Sequence, residues 1–211
     1  MKINMINGSQ KSGESNSGVL LDRLNDLIKN KHEVKIYKSV FLPIKNEILK
    51  EIVSGDIIIL SFPIFGDSIP SHTLKMLIDL EAVIKSEQST HLTIYAMVNC
   101  GFYEGKQNHI AFEIIKHWCG HSGVKFGGGI GQGAGEMLGQ LKHLPLEKSP
   151  FNNLSRALQT MTEKIDQKET FEVVYLNPYF PRFLWKFMGE RHWLNLAEKN
   201  GLAKKDITKR I

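Results

Sequence analysis

The residues best placed to do chemistry form a polar loop near the start of the chain, Gly8-Ser9-Gln10-Lys11-Ser12-Gly13-Glu14-Ser15-Asn16-Ser17. It combines two glycines, the hydroxyls of Ser9, Ser12, Ser15 and Ser17, the amide of Asn16 and one cation, Lys11. It then runs straight into a helical pattern. A phosphate ester placed there meets free backbone N–H groups, hydroxyl donors and the positive end of the helix dipole. The dipole contributes about 0.3–1 kcal/mol. Each charge-assisted hydrogen bond adds roughly 1.5–3 kcal/mol. The competing reading is a polar turn in which Ser15 or Ser17 merely caps the helix. Small polar residues clustered directly after a first strand favour the phosphate.

Two other loops carry residue types suited to a planar ring. Phe62-Pro63-Ile64-Phe65-Gly66-Asp67-Ser68-Ile69-Pro70 is apolar and stiffened by two prolines, as a flat wall would be. Its rival role is that Ile64 and Phe65 simply cover the end of a sheet. In Asn99-Cys100-Gly101-Phe102-Tyr103-Glu104, Gly101 lets backbone amides come close to a ligand. Such amides can bond the polar edge of a ring and stabilise negative charge on it. Phe102 or Tyr103 could pack on the ring, and here a surface turn is the competing account.

All three loops should follow strands. Lys2 to Asn7 is rich in β-formers. Ser15 to Lys29 has helical spacing through Val19, Leu20, Leu24, Leu27 and Ile28. Residues 33–37 read as a half-exposed second strand and residues 46–53 as a short helix. Asp56 to Ser61 is a nearly continuous apolar run, typical of a central parallel strand covered on both faces. Pro70 to Lys85 is helical through Leu74, Leu77, Ile78 and Val83. Residues 92–99 form a fourth strand, Gln107 to Cys119 a helix with Ile110, Ile114 and Trp118 on one face, and Val124 to Gly128 a fifth strand. This alternation predicts a parallel sheet with helices on both sides, and ligands in such sheets sit beyond the carboxyl ends of the strands. The glycines after Gly129 read as loop, followed by a helix over residues 153–165 and a break at Asn177-Pro178. A Gly-x-Gly-x-x-Ala match at Gly129, Gly131 and Ala134 follows the last strand rather than opening a βαβ unit, so it does not read as a dinucleotide site.

At the three loops the chain resembles the flavodoxin-like NAD(P)H-dependent FMN reductase and quinone reductase group. The group's Gly-Ser-x-Arg-x-x-x-Ser-x-Ser/Thr loop is matched from Gly8 to Ser17, with Lys11 where Arg is usual. Its Pro-x-Tyr-x-x-x-x-Pro loop is matched from Pro63 to Pro70, with Phe65 where Tyr is usual. Its Leu-Lys-x-x-x-Asp helix is matched from Leu74 to Asp79. The resemblance covers roughly residues 1–135. It implies a doubly wound five-stranded parallel sheet in the order 2-1-3-4-5. It also implies an FMN held by Ser9, Lys11, Ser15, Asn16, Ser17, Pro63, Ile64, Phe65, Gly66, Asn99, Cys100, Gly101, Phe102 and Glu104, with NAD(P)H as transient electron donor. No side chain is assigned as a catalytic acid or base, because the cofactor carries the difficult step. The implied acceptors are quinones, azo or nitro compounds, or free flavin. Phe65 has no phenol hydroxyl, so any hydrogen bond that a Tyr would make there is missing.

Composition narrows the alternatives. The chain has 211 residues, 42% of them hydrophobic, and a formal net charge of +5. From Arg182 onward there are eight Lys/Arg and three Asp/Glu, leaving nineteen of each sign in the body. A balanced body lacks the basic stripe that nucleic acid requires. It also lacks the strong acidity with which electron-carrier flavodoxins dock. A non-enzymatic scaffold of the same fold is the other alternative, and the hydroxyl-rich first loop argues against it. No signal peptide and no transmembrane run is recognised, so a cytoplasmic protein is expected. Cys100 and Cys119 read as reduced structural residues, and His117, Cys119 and His121 do not read as a metal site. The expected organisation is a binding domain over residues 1–170 and a basic, aromatic, helical C-terminal extension over 171–211. That extension should pack on the body or on a partner subunit of a homodimer or higher homo-oligomer, rather than on a membrane.

Overall fold

The computed structural model describes residues 1–38 and 43–206. Six strands form one parallel sheet in the order β2-β1-β3-β4-β5-β6. They are β1 (Lys2–Asn7), β2 (Glu33–Lys38), β3 (Ile57–Pro63), β4 (Thr93–Asn99), β5 (Lys125–Gln132) and β6 (Val174–Leu176). The helices are α1 (Asn16–Ile28), α2 (Asn46–Val53), α3 (Ser71–Ser86), α4 (His109–Ser122), α5 (Glu136–Gln140), α6 (Asn152–Gln167) and α7 (Arg182–Lys199). The expected 2-1-3-4-5 order is present, and β6 extends it by one strand beside β5.

Period-two alternation sends successive side chains to opposite faces of the sheet. Ile57, Ile59, Tyr95 and Met97 pack with α1 and α6. Ile58, Leu60, Ile94, Ala96 and Val98 pack with α2, α3 and α4. The central strands are buried on both faces and therefore read as unbroken apolar runs.

The chain divides into two compact units, Met1–Pro178 and Tyr179–Ile211. Residues 171–178, expected in the extension, lie with the first unit because β6 completes its sheet. The described part of the second unit is α7 and a 3-10 turn at Lys204–Asp206. Apolar residues of α7 occur on all sides of the helix rather than along one stripe.

Three local readings are corrected. The fifth strand runs on past Gly128 to Gln132, so Gly129 and Gly131 lie inside β5, not in a loop. A Cβ on Gly127 would stand 2.5 Å from the Tyr95 ring, and one on Gly131 would stand 2.8 Å from the Tyr175 ring. A Cβ on Gly129 would run into Phe112 and stand 2.5 Å from the Ala96 carbonyl oxygen. Aromatic rings thus occupy the space that strand side chains would fill. On α4 the buried stripe is Ala111, Phe112, Ile115, Trp118, Cys119 and Ser122, whereas Ile110 is 43% exposed. On α3, Met76, Leu77, Leu80, Val83 and Ile84 face inward, while Leu74 and Ile78 are exposed.

Candidate functional site

The sheet reverses its winding between β1 and β3, and the loops after β1, β3 and β4 lie side by side at that switch point. Backbone and side chains lock the three together. Gly8 N–H donates to the Ser61 carbonyl at 2.7 Å, and Ile64 N–H donates to the Asn99 carbonyl at 3.0 Å. Asn99 Nδ2 donates to Ser17 Oγ at 2.9 Å and to the Phe62 carbonyl at 3.2 Å. Ser61 Oγ donates to the Ser17 carbonyl at 3.0 Å. The start of α1 is thereby fixed to the ends of both β3 and β4.

The first loop is shaped from its two ends. Asn7 Oδ1 accepts from Ser9 N–H at 3.0 Å, and Asn7 Nδ2 donates to Ser15 Oγ at 3.1 Å. Ser9 is buried, and its Oγ accepts from Lys11 N–H at 3.3 Å. Ser15 is the N-cap of α1, its Oγ accepting from Gly18 N–H at 3.1 Å. Asn16 Oδ1 accepts from Gly139 N–H at 3.2 Å. Ser15 and Asn16 therefore hold the protein's own backbone. The amides of Gln10, Ser12, Gly13, Glu14, Ser15, Asn16 and Ser17 have no protein acceptor among the described residues. Residues 10–14, including the Lys11 side chain, are exposed. Ser17 Oγ accepts from Asn99, and its own proton has no acceptor among the described residues.

The second loop closes in a tight turn. Phe65 N–H donates to Ser68 O at 2.9 Å and Ser68 N–H to Phe65 O at 3.3 Å. Gly66 (φ 55°) and Asp67 (φ 64°) both take the left-handed region that such a turn demands. Pro63 is the last residue of β3. Ile64 is buried in the α2/α3/α4 core, while Phe65 is 54% exposed. Of these two apolar residues, only Phe65 presents itself at the surface.

In the third loop Asn99 and Cys100 are buried, whereas Gly101 and Phe102 are exposed, Phe102 by 50%. The amides of Gly101 and Phe102 have no protein acceptor among the described residues. Burial pushes the Cys100 thiol above its ordinary pKa. Its Sγ lies 3.6 Å from the carbonyl oxygens of Phe102 and Glu104. A protonated, enclosed thiol is a structural filler. Cys119 is likewise buried and free, and burial drives its thiol up to about 12. His117 and His121 are exposed on α4. Among the described residues no group of three His, Cys, Asp or Glu side chains comes together to hold a metal, and no helix is long and apolar enough to cross a membrane.

Several residues that build this site carried no signal on their own. Asn7 looked like the end of a strand, yet it shapes both ends of the loop. Gly135 N–H donates to the Cys100 carbonyl at 2.7 Å, and Ala134 N–H to the Phe102 carbonyl at 2.5 Å. The segment after β5 thus backs the third loop. Lys142, beyond α5, pairs with Glu14 at 2.7 Å, so the one carboxylate inside the first loop is neutralised.

No family profile matches the sequence, and no curated protein matches it. Solved structures do match. The FMN-dependent NADH-azoreductase from Bacillus anthracis str. Ames Ancestor, solved in complex with FMN, has a TM-score of 0.55 at 13% identity, over 78% of this chain and 99% of that one. An NADPH-quinone reductase from P. pentosaceus has a TM-score of 0.51 at 12% identity, over 78% of this chain and 97% of that one. The chain shares the flavodoxin-like fold of these proteins, as the strand order already indicates.

Proposed function

We propose that the chain is an FMN-dependent oxidoreductase. The observation that carries this reading is the run of unaccepted amides at Gln10 and from Ser12 to Ser17, at the N-terminus of α1 and beside the switch point. Backbone N–H groups without acceptors at a helix N-terminus suit an anionic ester. The exposed Lys11 and the free proton of Ser17 add to the same donor set. The fold shared with an azoreductase solved with FMN and with a quinone reductase supports this choice of ester.

In this reading the first loop holds the phosphate through its amides, Ser17 Oγ and Lys11. Ser9, Ser15 and Asn16 support that loop through their own backbone contacts. Phe65 and Gly66 on one side, and Gly101 and Phe102 on the other, flank the ring. The amides of Gly101 and Phe102 are the donors for its polar edge. Pro63, Ile64, Asn99, Cys100 and Glu104 hold those two loops in place. FMN, when bound, supplies two-electron transfer from NADH or NADPH to a small quinone, azo, nitro or flavin acceptor. Apolar residues spread around α7, with Phe183, Phe187 and Trp193 exposed, suit a contact with a partner subunit of a homodimer. The balanced body charge favours an enzyme over an electron carrier.

The test is purification, an absorption spectrum, and NADH or NADPH oxidation with a quinone. A yellow protein, or a colourless one that takes up FMN and then turns over, is expected. Failure to bind FMN overturns the assignment, whereas FMN binding without nicotinamide oxidation supports the carrier.

A further inference from the structure

The oxygen acceptor at the head of the first loop is held by α3. Gly8 is squeezed against β3, where a Cβ would lie 2.9 Å from Phe62 Cβ and 3.4 Å from the Ser61 carbonyl oxygen. Its carbonyl oxygen lies 2.7 Å from His72 Nε2 and 3.2 Å from Thr73 Oγ1, both on the first turn of α3. A carbonyl only accepts, so the imidazole proton sits on Nε2. The other ring nitrogen, Nδ1, is buried without a partner among the described residues.

We infer that His72 is a positioning residue for the anion-binding loop. A carbonyl that is free to rotate at the start of such a loop can turn its negative oxygen toward the bound phosphate and displace the amides that follow. His72 and Thr73 tie that oxygen to α3, and Asn7 fixes the next amide, Ser9 N–H, at 3.0 Å. The loop therefore leaves the strand with its donors rather than its acceptor directed at the ligand. This inference rests on the FMN reading, because its consequence is selective. His72 acts on the phosphate end, so it separates FMN from riboflavin, which has the same ring and no phosphate.

The experiment titrates apoprotein with FMN and, separately, riboflavin, following quenching of flavin fluorescence. It uses wild type, His72→Leu and His72→Gln. Loss of one buried hydrogen bond predicts that His72→Leu weakens FMN about three- to tenfold and leaves riboflavin within about twofold. The Gln amide reaches the position of Nε2 and restores most of the loss. If His72→Leu does not fold, His72→Asn, whose shorter amide cannot span the same distance, carries the same expectation. Long-range proton–nitrogen spectra of wild-type apoprotein should place the His72 proton on Nε2. Equal losses for both flavins, no FMN loss, or a proton on Nδ1 overturns the role of His72 while leaving the FMN reading intact. Wild type that binds neither flavin overturns the FMN reading itself, and this inference with it.

Discussion

Replacing Ser17 by alanine removes a single oxygen from a side chain that is 1% exposed. That oxygen has two tasks. It accepts the Asn99 amide at 2.9 Å, and its proton, which has no acceptor among the described residues, is the one assigned above to the phosphate. In Ser17→Ala, Asn99 keeps its bond to Phe62 O, and the Ser17 carbonyl keeps its bond from Ser61. One buried Asn99 N–H is left without an acceptor, so the apoprotein should lose about 1–3 kcal/mol of stability in urea unfolding. The ligand effect is separate. A hydroxyl bonded to a charged phosphate is worth about 1.5–3 kcal/mol, or roughly ten- to hundredfold in affinity. FMN should weaken by that factor, while riboflavin changes little. A loss of stability with equal changes for the two flavins would refute the idea that the Ser17 proton faces the phosphate. Ser17→Asp should go further, because it sets a second negative charge in the same donor set.

Other perturbations probe different parts of the account. Lys142→Ala should leave the unfolding midpoint nearly unchanged, since its ion pair with Glu14 is more than half exposed on both sides. It should nevertheless weaken FMN severalfold by leaving Glu14 uncompensated, and titration should show the effect reversed in Glu14→Gln/Lys142→Ala. Tyr95→Phe removes a hydroxyl that donates to Glu169 O at 2.6 Å and should cost about 1 kcal/mol by chemical denaturation. Burial raises the folded Tyr95 pKa to about 12. The stabilisation is therefore complete below pH 10 and is lost as pH rises from about 10 toward 12. Across that window wild type should lose more stability than Tyr95→Phe. Gly129→Ala forces a methyl between Phe112 and the Ala96 carbonyl and should destabilise by about 1–3 kcal/mol or prevent folding.

The sheet was legible because its central strands obey simple rules. A run such as Ile57-Ile58-Ile59-Leu60 serves both faces at once, and the loops that follow such strands fall where ligands bind. The sequence marks β5 only as far as Gly128, because glycine is poor in strands. Its glycines are explained only by rings from Tyr95, Phe112 and Tyr175, which sequence spacing does not bring together. β6 is three residues long and depends on pairing with β5, which leaves little local pattern to find. On α4 the sequence offers competing apolar stripes, and the true one is set by packing on β4, β5 and α3. At the site, the polar loop and its glycines stood out by residue type. The roles of Asn7, His72, Asn99 and Lys142 did not, because each depends on a partner distant in sequence or on the geometry of a turn.

The central claim is that the loop from Ser9 to Ser17 is a receptor for a phosphate ester. Titrating wild-type apoprotein with FMN and with riboflavin at matched ionic strength tests it most directly. Several charge-assisted bonds of about 1.5–3 kcal/mol each predict that FMN binds at least roughly a hundredfold more tightly than riboflavin. Equal affinity for the two flavins, or binding of neither, would contradict it.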